Sequence, residues 1–351
     1  MSGLVPVRAD PAAAGKVASG LAGAARIRPG RRGRAPATIG RMSRWAGVLM
    51  PMVTPFAGDE VDEGALRRNA VAWMRTPLAG LVALGSNGEA PQLDDAEADR
   101  VLAVVREAVP RDRVLLAGTG RESTRATIAA TRRAAALGVD AVLVRTPSFF
   151  KSQMTSEVFV RHYQAVADAA PVPVFLYNVS MFTGVNLLPE AVERLATHPN
   201  IIGMKESGGD MAQVAECITR TPEDFVVYAG SAASYFHALC AGCDGAILAV
   251  AGVVPELCVE IWQLVRAGRL DEARAAQRRL APLARLVGTA HGVPGLKAAL
   301  NLLGYEGGEP RLPLLPAAPA VVEALRRELH PLGRLPTGAL DAPAQVDPIS
   351  H

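Results

Sequence analysis

Aromatic residues make up only 5% of the 351-residue chain, and cysteines number four. Cys217, Cys240, Cys243 and Cys258 all lie in the second half and are too few to staple a chain of this size, which excludes a disulfide-held scaffold. Cys240-Ala-Gly-Cys243 is a lone C-x-x-C without the second pair a structural zinc needs; small residues buried in a reducing cytoplasm are the simpler reading. No apolar run is long enough to span a bilayer as a helix, since the best, Gly245 to Val254, stops at Pro255. The six histidines (His162, His198, His237, His291, His330, His351) are scattered with no H-x-x-x-H pair, so a metal-dependent aldolase or hydrolase is disfavoured. There is no G-x-S-x-G elbow, no Walker loop and no G-x-G-x-x-G opening a helix after the first strand. We therefore expect neither metal nor cofactor.

What is present is apolar mass. Hydrophobic residues are 50% and charged residues 20% of the chain, enough for a large core and too apolar for a mainly disordered protein. Net charge is +3, but residues 1–41 carry eight basic side chains against Asp10 alone, so the remainder holds 29 basic and 33 acidic groups, or −4. A mildly acidic body carries no nucleic-acid footprint. Residues 1–41, rich in Ala, Arg, Gly and Pro, read as a disordered basic tail. They resemble an organelle leader short of serine or, equally, a translation start placed too early, since Met42 directly precedes the folded part. Residues 333–351 are Pro-punctuated and read as a second loose tail.

Between the tails, short apolar runs begin near Val48, Leu81, Val114, Ala141, Val172, Ile201, Phe225 and Ala246. Most lead through a polar turn into a helix-period segment: Asp62–Arg75, Asp94–Ala108, Ser123–Leu137, Thr155–Ala169, Pro189–Ala196 and Pro255–Ala267. Runs apolar throughout are strands covered on both faces, and their alternation with helices means a parallel sheet. Eight such units predict an α/β fold, a (β/α)8 TIM barrel over residues 42–268. A helical appendage over 269–332 follows, with helices at Leu270–Leu286, Pro294–Leu303 and Pro316–Leu329. A doubly wound open sheet is the competing fold.

Barrel chemistry sits at the C-terminal strand ends. The sixth run delivers Lys205 there, followed by Glu206 and Ser207. Desolvation at the end of an apolar strand leaves a lysine amine nucleophilic and able to form a Schiff base with a carbonyl; otherwise the side chain snorkels or pairs with an acid. The fifth run delivers Tyr177, which could relay a proton or simply line the rim. The second ends in Gly85-Ser86-Asn87-Gly88-Glu89, a tight turn suited to a carboxylate, with Glu89 read as a prop for the loop rather than a base. Ala117-Gly-Thr-Gly120 and Ala229-Gly230-Ser231-Ala232 could bring backbone close to a ligand.

Taken together, from about Ala46 to Leu329, these features resemble the dihydrodipicolinate synthase / N-acetylneuraminate lyase family of class I aldolases. The carriers are Val53-Thr-Pro-Phe56, Gly85–Glu89, Tyr177-Asn178, Thr183-Gly184, Ile202-Gly-Met-Lys205-Glu206, Gly230 and Asp244-Gly245-Ala-Ile247. Within the family the chain is most similar to 4-hydroxy-2-oxoglutarate aldolases. This shows in Met204-Lys-Glu-Ser-Gly-Gly-Asp210, His198-Pro-Asn-Ile, Gly292-Val-Pro-Gly-Leu-Lys297 and Gly304-Tyr-Glu-Gly-Gly308. The resemblance implies Lys205 as the Schiff-base residue and Tyr177 as the proton shuttle. It also implies that Ser86, Asn87, Gly88, Ser207, Gly230 and Ile247 bind substrate. The implied partner is a small pyruvate-type 2-oxo acid in a cytoplasmic homo-oligomer, dimer or tetramer, with no membrane or nucleic acid.

Two departures bear on the substrate. Dihydrodipicolinate synthases place an arginine for the second substrate's carboxylate just before the Thr-Gly that matches Thr183-Gly184, where this chain has Met181-Phe182. That disfavours 4-hydroxy-tetrahydrodipicolinate synthesis and leaves no obvious cation for a distal carboxylate. The family's relay tyrosine after strand four is matched by Thr146-Pro-Ser148-Phe149-Phe150, so either Ser148 with a water replaces that link or the proton path is shorter. The leading expectation is cleavage of 4-hydroxy-2-oxoglutarate to pyruvate and glyoxylate. The alternatives are a 2-keto-3-deoxy sugar-acid aldolase or dehydratase, another pyruvate-dependent lyase, and a non-catalytic barrel that senses an oxo acid.

Overall fold

The structure, a computed structural model, describes residues 44–335; the expected tails over 1–41 and most of 333–351 lie outside the described residues. Eight strands close into a parallel barrel: β1 (Gly47–Pro51), β2 (Gly80–Ala83), β3 (Val114–Gly118), β4 (Ala141–Arg145), β5 (Val174–Asn178), β6 (Ile201–Glu206), β7 (Val226–Ala229) and β8 (Gly245–Ile247). Each begins within two residues of its predicted start. The ring closes where β1 pairs with β8, Gly47 opposite Gly245. The doubly wound sheet is thereby excluded.

The strands are apolar throughout because each is covered twice. Leu49, Val82, Leu116, Leu143, Phe175 and Tyr228 fill the barrel interior. Their chain neighbours, among them Val48, Met50, Leu81, Leu115, Val142 and Leu176, pack outward under the helices.

The surrounding helices are α1 (Glu63–Met74), α2 (Asp95–Ala108), α3 (Thr124–Ala136), α4 (Ser156–Ala169), a single turn α5 (Ser180–Thr183), α6 (Pro189–Leu195), α7 (Met211–Arg220), α8 (Tyr235–Ala241) and α9 (Pro255–Arg266). Their starts are legible as caps. Asp62, Asp94, Ser123, Thr155 and Asp210 each accept a bond from a backbone N–H of the first turn, Asp94 in a reciprocal pair with Glu97. Because these caps end the loops leaving the strands, they also fix the rim of the barrel where a site would sit.

The appendage follows as α10 (Leu270–Arg285), α11 (Gly292–Leu302) and α12 (Pro319–Leu329). The expected start of the last helix at Pro316 moves to Pro319, a proline suited to the first helical turn. The predicted end of α10 is replaced by a widened π turn over Leu286–Ala290 that joins α10 to α11. The segment after α11 is tied back to the barrel: Arg311 pairs with Glu97 at 2.7 Å and Arg68 with Glu306 at 2.5 Å. No helix among the described residues is long and apolar enough to cross a membrane.

Candidate active site

A single irregularity aims β6. Val174 of β5 pairs with Ile201, but Phe175 pairs with Gly203, so one residue, Ile202, is extra. A shift of one residue exchanges the two faces of a strand. With Ile202 packed inward, strict alternation would send Met204 inward as well; after the bulge Met204 is outside and Tyr177 pairs with Lys205 on the interior face. Gly203 makes this possible, because a Cβ there would lie 2.4 Å from the Val226 carbonyl oxygen and 2.6 Å from the Phe175 ring.

Lys205 is 6% exposed, and among the described residues no acid pairs with it. Its Nζ donates to the Tyr177 hydroxyl at 3.3 Å and lies 4.4 Å from the centre of that ring. The Tyr177 hydroxyl is in turn 3.3 Å from Ser86 Oγ. Amine, phenol and hydroxyl thus form a chain on the wall of a cavity of about 590 Å³ at the C-terminal strand ends. Ser86, Asn87, Ser207, Gly230 and Ile247 line the same cavity. Ser207 Oγ is buried without a hydrogen-bond partner, a donor left open toward a ligand. Gly230 leaves it room: a Cβ there would sit 1.9 Å from Ser207 Oγ. A second space of about 60 Å³ abuts Ser86 and Tyr177 from the other side, lined also by Gly120 and Arg145, and it is large enough for water.

The loop carrying Ser86 and Asn87 is a tight turn over Ser86–Gly88, entered and left through left-handed backbone at Leu84 (φ 56°) and Glu89 (φ 54°). Gly88 holds this turn and does not line the cavity. Its N–H donates to the Gly85 carbonyl, and its own carbonyl accepts from Thr54 Oγ1 at 2.7 Å. Glu89 is the prop the sequence suggested. Its carboxylate meets Lys297 Nζ at 2.6 Å, both side chains fully buried, and accepts from the Arg311 N–H at 2.8 Å. Lys297 also donates to the Glu309 carbonyl, and both it and Arg311 lie over the Phe56 ring. Burial pulls the Lys297 pKa down against the opposing pull of Glu89. Sequence reasoning gave Lys297 no role, for nothing local marks a partner so distant in the chain.

Glu206 pairs in register with Asn178, one residue beyond the Tyr177–Lys205 pair. It accepts from Asn178 Nδ2 at 2.7 Å, Gln213 Nε2 at 3.0 Å and the Gly208 N–H, and burial raises its pKa. This clasp joins the two strand ends that carry the amine and the phenol.

The remaining candidates lie apart. Glu122 accepts from the Ser148 and Phe149 N–H groups, each at 2.8 Å, and from Arg145. Burial opposes its ionisation, but these three bonds together hold its pKa below the usual range. The hooked loop turns Phe149 and Phe150 outward, 77% and 68% exposed and edge to face, and Ser148, Phe149 and Phe150 do not line the large cavity. Met181 and Phe182 do line it, at the exposed rim. One cation was missed: Arg285, at the end of α10, stands on the same wall. No cluster of metal-ligating side chains occurs among the described residues.

Known proteins resemble the chain over most of its length. The family model described as the dihydrodipicolinate synthetase family matches residues 44–331. The 4-hydroxy-tetrahydrodipicolinate synthase of Thermotoga neapolitana is 36% identical over 297 residues, covering 82% of this chain and 99% of its own. That of Methanopyrus kandleri is 35% identical over 295 residues, covering 83% and 98%. Among solved structures, dihydrodipicolinate synthase from Thermotoga maritima superposes with a TM-score of 0.80 at 34% identity, covering 84% of this chain and all of that one. The Acinetobacter baumannii enzyme, complexed with pyruvate, gives 0.78 at 30%, covering 83% and 99%. The curated relatives carry the synthase name rather than that of the 4-hydroxy-2-oxoglutarate aldolases, so what is established is the family and not the nearest member. The chain belongs to the dihydrodipicolinate synthetase family and is an enzyme of the class I, Schiff-base-forming aldolase and lyase type.

Proposed function

We propose that the protein is a pyruvate-type lyase in which Lys205 is the Schiff-base residue and Tyr177 the proton shuttle, with 4-hydroxy-2-oxoglutarate as the best substrate. The observation that carries this reading is an acid-free lysine amine on a cavity wall, 3.3 Å from a tyrosine hydroxyl. Lys205 attacks the C2 ketone. Tyr177 protonates the carbinolamine hydroxyl, water leaves, and the iminium and a phenolate remain. The phenolate takes the C4 hydroxyl proton as the C3–C4 bond breaks, the bonding pair moves into the enamine, and glyoxylate departs. Tyr177 then returns the proton to C3, and hydrolysis releases pyruvate and restores both side chains.

Ser86, Asn87 and the open hydroxyl of Ser207 hold the C1 carboxylate; Gly230 and Ile247 shape the wall, and Gly88 keeps the loop in place. Since Ser148, Phe149 and Phe150 stand off the cavity, the shorter proton path, Tyr177 to Ser86 and the water-sized space beside them, is favoured. That the four cysteines are thiols rather than disulfides supports a reducing, cytoplasmic setting. The exposed Phe149, Phe150, Met181 and Phe182 support a homo-oligomer, which light scattering would test.

A second reading, 4-hydroxy-tetrahydrodipicolinate synthesis, is favoured by the names of the relatives. It shares the pyruvate imine and differs in the aldehyde; Met181-Phe182 speaks against it.

The test is to incubate the protein with pyruvate, reduce with borohydride and map the added mass. An adduct on Lys205, absent in Lys205→Ala, is expected. Turnover of 4-hydroxy-2-oxoglutarate, followed by pyruvate release, should fall at least about 10³-fold in Lys205→Ala and about 10²-fold or more in Tyr177→Phe. An unlabelled Lys205 in folded protein would overturn the reading; a Lys205 adduct with turnover only toward 4-hydroxy-tetrahydrodipicolinate would select the second.

A further inference from the structure

The wall of the large cavity carries two basic side chains, Lys205 and Arg285, and no carboxylate, and the iminium formed on Lys205 is itself cationic. A cavity with that balance is complementary to an anion, and low-dielectric walls focus its field. The two charges are supplied by different parts of the chain. Lys205 ends β6, beside the serine and asparagine of the loop after β2. Arg285 ends α10 in the appendage, where the π turn Leu286–Ala290 begins. The same turn brings Val287, Gly288 and Thr289 to the cavity wall. Isolated π turns recur at functional sites because they redirect side chains that a regular helix would carry past. Pro282, inside α10, has already removed one backbone donor from the preceding turn.

The Arg285 side chain has no hydrogen-bond or ion-pair partner among the described residues; it is exposed and lines the cavity. Arg145, by contrast, is engaged with Glu122, and Arg311 with Glu97. A guanidinium free at a cavity wall presents a planar fork of donors matched to a carboxylate. Met181 and Phe182, on the apolar rim of the same cavity, offer nothing of that kind.

We propose that Arg285 is the specificity-determining residue for the aldehyde half of the reaction: it receives a carboxylate on that half, so that the preferred substrates are dicarboxylic 2-oxo acids. The inference rests on the Schiff-base reading above. The first carboxylate stays with Ser86, Asn87 and Ser207 beside the iminium, while the second is drawn to the appendage, with the Thr289 hydroxyl within the same wall.

The test compares two aldehydes within each variant. Condensation with pyruvate is measured for glyoxylate, which carries the carboxylate, and for acetaldehyde, which does not, in wild type, Arg285→Lys and Arg285→Gln. In Arg285→Gln the ratio of kcat/KM for glyoxylate over acetaldehyde should fall about 10- to 100-fold, mainly through the KM for glyoxylate, with Arg285→Lys between the two. The glyoxylate KM of the wild type should also rise with salt. A ratio that moves less than about threefold, in protein that still gives the Lys205 adduct with pyruvate and borohydride, overturns the assignment of Arg285 and leaves the Schiff-base reading standing. No adduct in the wild type overturns both.

Discussion

Two buried glutamates flank the candidate site, and they are held by opposite means. Glu89, under the loop of Ser86 and Asn87, is matched by a lysine brought from the appendage. Glu206, behind the strand ends of Tyr177 and Lys205, meets only amides and a backbone N–H. A full countercharge can come from far along the chain, because an ion pair needs only one contact. Amide neutralisation needs several donors converging at fixed angles, and here they come from the adjoining strand, the next turn and the first turn of α7. The first arrangement joins two parts of the molecule; the second sets the geometry of neighbours. The loop of Ser86 and Asn87, proposed to hold substrate, therefore depends on the appendage, while Tyr177 and Lys205, the proposed reacting pair, are set by the barrel.

Breaking the ion-paired side has the largest expected effect. Lys297→Met leaves the Glu89 carboxylate buried without its cation, and urea unfolding should register a loss of about 3–5 kcal/mol. Adding Glu89→Gln removes the stranded charge and should return more than half of that loss. If the double variant is no better than the single, shape rather than charge holds the loop.

On the amide side, Glu206→Gln keeps the shape but sets one amide against others, at a cost of about 1.5–3 kcal/mol, and kcat should fall more than the KM for substrate changes. Burial raises the Glu206 pKa, so its stability contribution is full below the unfolded value and declines as pH rises through the folded one. Urea titrations above pH 5 should show that decline in wild type and not in Glu206→Gln.

A third buried group sharpens the contrast, having neither an ion-pair contact nor a ring of amides. His162 shares one bond with Thr124, its Nε2 is unpartnered, and burial pushes its pKa from 6.5 down to about 4 against the pull of Glu122. With the folded value depressed, its contribution is present above pH 6.5 and lost as pH falls toward 4. Between pH 7 and 5 wild type should lose about 2 kcal/mol that His162→Gln does not. The smallest effect belongs to the exposed pair Arg161–Glu157 on α4: Arg161→Ala should leave the thermal midpoint unchanged within error.

Much of this was legible in the sequence. All eight strands could be read because double burial makes each run apolar, and α1 to α4 because Asp62, Asp94, Ser123 and Thr155 mark their starts. Lys205 and Tyr177 stood out as polar endings to apolar runs, and the structure brings them together with Ser86, Asn87, Ser207, Gly230 and Ile247. The bulge at Ile202 was not legible: it is a property of the pairing with β5, and the bare alternation of Ile202 and Met204 argues for the wrong face. Arg285 was hidden as one of several arginines on an amphipathic helix, and nothing in its neighbours announces a π turn. The outward turn of Phe149 and Phe150 depends on Glu122, which belongs to a different loop.

The closure of the ring also orders events during synthesis. Gly47 bonds with the strand of Gly245, so one edge of β1 has no native partner until the last strand has left the ribosome. Lys297, which anchors the Glu89 loop, emerges later still. A growing chain therefore exposes an unpaired apolar strand edge through most of its translation, the kind of surface on which aggregation is templated. Any product that stops short of Gly245 keeps that edge for good, however complete its first seven units are.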